Sequence, residues 1–168
     1  MDIQQQELQK AIDFVRQTFA EKNQQLDYSP ASVKYLDTLF DNEFEKGKPK
    51  KPNTSFAKFQ GLIMTGVSGY LAQVIVKNTG NAQIVINPSD EKWFMSFKVI
   101  SASGLFVQPG LRVVKRMIKG DELSLYDYVV ASIPFFTQSS SVQAISPDSA
   151  AFEKANRPAS KPWWKFWP

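Results

Sequence analysis

The chain of 168 residues contains no cysteine and no histidine. The missing thiols exclude disulfides and thiolate nucleophiles, and the two absences together exclude structural zinc held by thiolate and imidazole. Without imidazole, the side chain that most often serves as general base near neutral pH is gone. An enzyme built on this sequence would depend on Asp, Glu, Lys, Tyr or Ser, or on a carboxylate-bound metal. Charge of one sign is also in short supply. Lys and Arg number 20 against 16 Asp and Glu, a net charge of +4. That is mildly basic and no nucleic-acid signature without a continuous patch. No window approaches the ~20 apolar residues of a membrane span. The polar start MDIQQQELQK has no apolar run behind it, so the expected location is the cytoplasm.

Apolar residues make up 43% of the chain, thirteen of them phenylalanine, enough to build a core without staples. Leu8, Ile12, Val15 and Phe19 recur at helical spacing and predict a helix over about 3–23. Ser29–Pro30 reads as an N-cap and first-turn proline, followed by Val33, Leu36, Leu39, Phe40 and Phe44 on a helix ending near Lys46. The connector KGKPKKPNTS (46–55) reads as a solvated basic loop, with an anion-binding loop as the alternative, though no aromatics or glycine-rich cradle stand beside it. Phe56, Phe59, Ile63, Val67, Tyr70 and Val74 then predict a central helix through about Lys77. A β-hairpin around KNTGN is the competing reading. Gly61, Gly66 and Gly69 lie inside the stripe, each costing close to ~1 kcal/mol relative to alanine. They predict a close approach of another element to the helix backbone.

Residues 82–87, 92–100 and 104–108 are β-branched and aromatic and read as a three-stranded antiparallel meander closed by Pro109 and Gly110. Leu111, Val114, Met117 and Ile118 predict a helix stopped by Gly120, and Asp121 a cap for a last helix ending before Pro134. The expected fold is α+β: N-terminal helices, a small three-stranded antiparallel sheet and a C-terminal helix pair. One domain covers 1–136, and the Ser/Ala/Pro-rich segment 137–168 reads as a flexible tail.

The succession YSPASVKYLD, GYLAQVIVKNTGNAQIVI and QPGLRVVKRMIKGDELSLYDYV resembles an uncharacterised bacterial family of small α+β domains, over roughly residues 26–132. The sequence departs from that pattern at Ala72–Gln73, where the family would have Gly–Glu, and again at 80–83. The resemblance implies a fold and carries no activity.

Arg112, Lys115, Arg116 and Lys119 form a basic helix face, a candidate anion-binding set whose simplest fate is solvation. Asp37 and Asp41 stand four apart with Glu43 and Glu45 behind them, a pattern commoner on solvated faces than at metals. GVSG (66–69) has the outline of a nucleophile elbow with no histidine to activate Ser68. The segment KPWWKFWP (161–168) is the most distinctive. Trp163, Trp164, Phe166 and Trp167, with Lys165 among them, pair burying rings with cations, as partner-docking motifs and interfacial anchors do. Folding back to plug a groove on its own domain is the plainer reading. The expected function is a non-catalytic protein-binding or accessory module, adaptor or immunity-like, needing neither cofactor nor metal. The expected partner is another protein, with no specific nucleic acid. A peripheral membrane protein held by its aromatic end, and a carboxylate- or lysine-dependent enzyme, are the alternatives.

Overall fold

Leu8, Ile12, Val15 and Phe19 form the buried stripe of α1 (Ile3–Ala20) in the computed structural model, which describes residues 3–51, 55–87, 89–90, 93–120 and 124–138. The N-cap read at Ser29 is present. Its hydroxyl accepts from the Ser32 N–H at 3.3 Å, and Pro30 opens a 3-10 turn running straight into α2 (Val33–Glu43).

The chain departs from helix before Lys46. Phe44–Glu45 (β1) pairs antiparallel with Lys48–Pro49 (β2), so the expected solvated loop begins as a hairpin. Its two-residue turn has Lys46 at φ +49° and Gly47 at φ +81°. Two successive left-handed residues match the right-handed twist of paired strands. Phe44, stacked 5.4 Å from Phe40, anchors the hairpin to the core.

After α3 (Ser55–Lys58), α4 (Gln60–Thr79) runs unbroken to a left-handed Gly80, which disposes of the hairpin reading for this stretch. Val67, Tyr70, Leu71, Ala72, Val74 and Ile75 are fully buried. A helix apolar nearly all round must be enclosed, and α4 packs against α1, the sheet and the last two helices. The close approach expected at the glycines is real at two of the three. A Cβ on Gly66 would sit 2.2 Å from the Ala11 carbonyl oxygen, and one on Gly69 2.7 Å from Leu8 Cδ1. Gly61 has nothing within 4 Å.

The antiparallel meander is also present, in the order β3 (Ala82–Val85), β4 (Lys98–Ser101), β5 (Phe106–Val107). Only the end of the expected 92–100 strand pairs, because Trp93–Ser96 is a helical turn, α5. That turn packs on Gly110, where a Cβ would lie 2.7 Å from the Met95 Cα. Pro109 and Gly110 therefore open α6 (Pro109–Lys119) instead of closing a strand, with Pro109 in the helix's first turn. Gly120, at φ +74°, ends it as expected. The Asp121 cap lies outside the described residues.

The last helix, α7 (Leu125–Gln138), passes through Pro134, where it was expected to stop. Proline removes the bond to the Val130 carbonyl, but Pro134 and Val130 are both exposed, so water can satisfy that oxygen. The architecture is α+β, a small meander and an added hairpin packed around a buried central helix.

Candidate functional site

Arg116 was read as part of a solvated basic face, and it is 2% exposed. Its Nε donates to Asp37 Oδ1 at 2.9 Å, and its Nη2 donates to Asp41 Oδ1 at 2.6 Å. The i, i+4 spacing of the two carboxylates does put them on one face of α2, where Arg116 of α6 reaches both; Asp37 is largely covered, while Asp41 stays exposed to solvent. Burial works to lower the Arg116 pKa, and the bonds from Asp41 and Asp37 outweigh it, holding the guanidinium above its ordinary value.

Asp37 does more. Its Oδ1 also accepts from the Leu125 N–H at 2.8 Å, and its Oδ2 accepts from the Tyr126 N–H at 2.9 Å and the Ser124 hydroxyl at 3.0 Å. One carboxylate thus caps α7 and clamps α6 to α2. The Ser124 hydroxyl in turn accepts from the Asp127 N–H at 3.1 Å.

The basic face is therefore divided. Arg112 is half-buried, donating from Nη2 to the Ser124 carbonyl at 3.0 Å beneath the Tyr128 ring, and burial lowers its pKa. Lys115 and Lys119 are exposed. Two carboxylates already occupy the Arg116 guanidinium, so it is not free to take an external anion.

Where Lys119 does find company is across from the hairpin. The Gly47 N–H donates to the Met117 carbonyl at 3.1 Å, docking the β1–β2 turn on the last turn of α6. Between them lies a cleft of about 440 Å³ with Arg116 and Asp41 at its base. Lys46, Lys50 and Lys119 line it, with Glu45 and the half-exposed Ile118. The Lys50 ammonium donates to the Asp41 carbonyl at 2.6 Å, while Lys46 and Lys119 make no ion pair among the described residues. With Arg116 taken up by Asp37 and Asp41, the lysines Lys46, Lys50 and Lys119 outweigh Glu45 and that cluster only narrowly, which leaves the cleft weakly net positive.

Sequence reading treated the connector and the α6 face as separate solvated runs and so missed their meeting. A signal was available. The acidic pair Asp37/Asp41 and the basic pair Arg112/Arg116 share i, i+4 spacing, which is how two helices with complementary charges would be marked.

The remaining candidates are accounted for. Ser68 is buried inside α4 and back-bonds from its hydroxyl to the Met64 carbonyl at 2.7 Å. Among the described residues no group of three or more acidic side chains is placed to hold a metal. Nor, among them, is any helix long and apolar enough to cross a membrane. Trp163, Trp164, Lys165, Phe166 and Trp167 lie outside the described residues. No protein-family model matches the chain, and no curated protein or solved structure matches it either.

Proposed function

We propose that this protein is a non-catalytic binding module that takes an acidic segment of another protein in the cleft between the β1–β2 hairpin and α6. The observation that carries the reading is the convergence of Lys46, Lys50 and Lys119 over a buried, already neutralised Arg116. Such a base cannot swing out, so the backbone that carries the lysines is held in place, while the exposed Lys46 and Lys119 side chains still lose rotamer freedom on binding. The carboxylates nearest the base are engaged by Arg116. They are poorly placed to exchange protons with a substrate, which supports binding over catalysis.

A protein partner suits the cleft better than a phosphate backbone or a lipid surface. The site is concave, it interrupts its lysines with Asp41 and Glu45, and it offers Ile118 for an apolar contact. A phosphate backbone favours an unbroken single-sign groove with exposed rings for stacking, and Phe40 and Phe44 here are buried. A lipid surface is flat.

Titrating the protein with an Asp/Glu-rich peptide carrying one leucine, at low and moderate salt, tests the reading. Lys46→Asn with Lys119→Glu should weaken binding about tenfold or more, equivalent to ~1.4 kcal/mol. Asparagine tolerates the left-handed turn position, so the hairpin survives the charge removal. Equal binding by the variant would sink the proposal. Binding to anionic vesicles or single-stranded oligonucleotide with no binding to the peptide would replace it with a membrane or nucleic-acid reading.

A further inference from the structure

A second concavity shares no lining residue with the lysine cleft and differs from it in character. It is a groove of about 200 Å³ between α1 and β3, floored by α4. Buried Leu8 and Ile12 lie at its bottom, half-exposed Ile84 and Ile86 form a wall, and Gln5, Gln9 and Gln73 bring amides to it. Among the described residues no charged one lines it. A void of ~150 Å³ walled by aliphatic side chains is enough to hold a benzene ring. This groove therefore has room for one aromatic side chain, and its amides can accept from a ring N–H. Indole meets both conditions, being an apolar body with a single donor.

We propose that the groove is the docking site for the protein's own aromatic motif, Trp163–Trp167, with an indole seated against Ile84 and Ile86. Three features favour this occupant. The Asn81 amide donates to the Phe136 carbonyl at 3.3 Å, so α7 ends beside the residue that precedes β3. The groove runs along β3, and from Asn81 to Ile86 the strand direction covers only ~17 Å at 3.3 Å per residue. The 25 residues from Gln138 to Trp163 can span several times that distance. Finally, Lys161 and Lys165 flank the rings, and Asp13 lies at the groove's edge, where it accepts from Gln9 Nε2 at 3.0 Å. A neutral groove with a carboxylate at its margin is complementary to rings bracketed by ammonium groups.

The contact is read directly in the full chain with labelled tryptophan and isoleucine δ-methyl groups. The expected result is nuclear Overhauser contacts from an indole of 163–167 to the Ile84 and Ile86 methyls, unchanged on dilution. The triple variant Trp163→Ala, Trp164→Ala, Trp167→Ala should then shift those methyl resonances while leaving the Ile118 δ-methyl, in the lysine cleft, in place. Contacts appearing only between differently labelled chains in a mixed sample would overturn the intramolecular site in favour of a second copy. Indoles that show no methyl contact and are fully accessible to a soluble quencher would overturn it outright. Indoles that become protected only on adding lipid vesicles would do the same and support a membrane anchor.

Discussion

At Gly66 the α1 and α4 backbones approach so closely that a single carbon decides the contact. The Ala11 carbonyl oxygen, 2.2 Å from the position of a Cβ, belongs to a helix backbone and cannot rotate away. Gly66→Ala should lose about 3 kcal/mol in urea melts, overpacking outweighing alanine's better helix propensity. Gly61→Ala meets nothing within 4 Å and should be neutral or stabilising by less than ~1 kcal/mol. Equal effects at the two sites would remove the close-approach argument.

Tyr128 supplies a different residue-scale test. Its hydroxyl is buried without a hydrogen-bond partner among the described residues, and burial raises its pKa well above the usual 10.0. Burial raises Tyr70 as well. A phenol that keeps its proton in the folded state after the unfolded chain has lost it binds more protons when folded. Stability is thus full below pH 10 and falls as pH rises past it. Tyr128→Phe should be neutral or stabilising at pH 7, by up to ~1 kcal/mol, and should make the alkaline loss shallower. A steeper loss, measured by urea melts at pH 8 and 10.5, would contradict this assignment.

Among the elements, Asp37 is the joint. Asp37→Ala strands the buried Arg116 with Asp41 alone and uncaps α7, so a loss of ~3–5 kcal/mol is expected. Adding Arg116→Met removes the stranded charge, and the double variant should recover part of that loss because a buried ion pair is replaceable by packing. The cap is not restored, so recovery stays incomplete. Additive losses in the two-variant cycle would mean that Arg116 and Asp37 are not coupled.

For the molecule as a whole, the lysine cleft predicts that association with an acidic peptide weakens steeply with salt, since Lys46 and Lys119 are exposed and screened. Affinity unchanged between about 50 mM and 300 mM salt would place the contact elsewhere. The sequence by itself determined the local structure. The stripe of α1, the Ser29–Pro30 start, the body of α4 from Ile63 on and the Gly120 stop follow from spacings of three and four residues or from a single cap. The expected helix over Phe56 breaks at the exposed Phe59. It also determined the α+β class and the need for small residues at 66 and 69. Several boundaries escaped it, because they depend on what neighbours permit. Trp93–Ser96 turns helical against Gly110, and α7 crosses Pro134 at an exposed stretch of the helix. The candidate site was least legible. Asp37 and Arg116 are 79 residues apart, and so is the pairing that brings the connector lysines beside Lys119 far from local. Charge runs that look solvated one at a time become a buried clamp and a cleft only when packing removes water from one side of each. No period of 3.6 residues encodes that choice. The tertiary structure decided it, through the desolvation that makes a paired Arg116 acceptable inside and leaves Lys46 and Lys119 out.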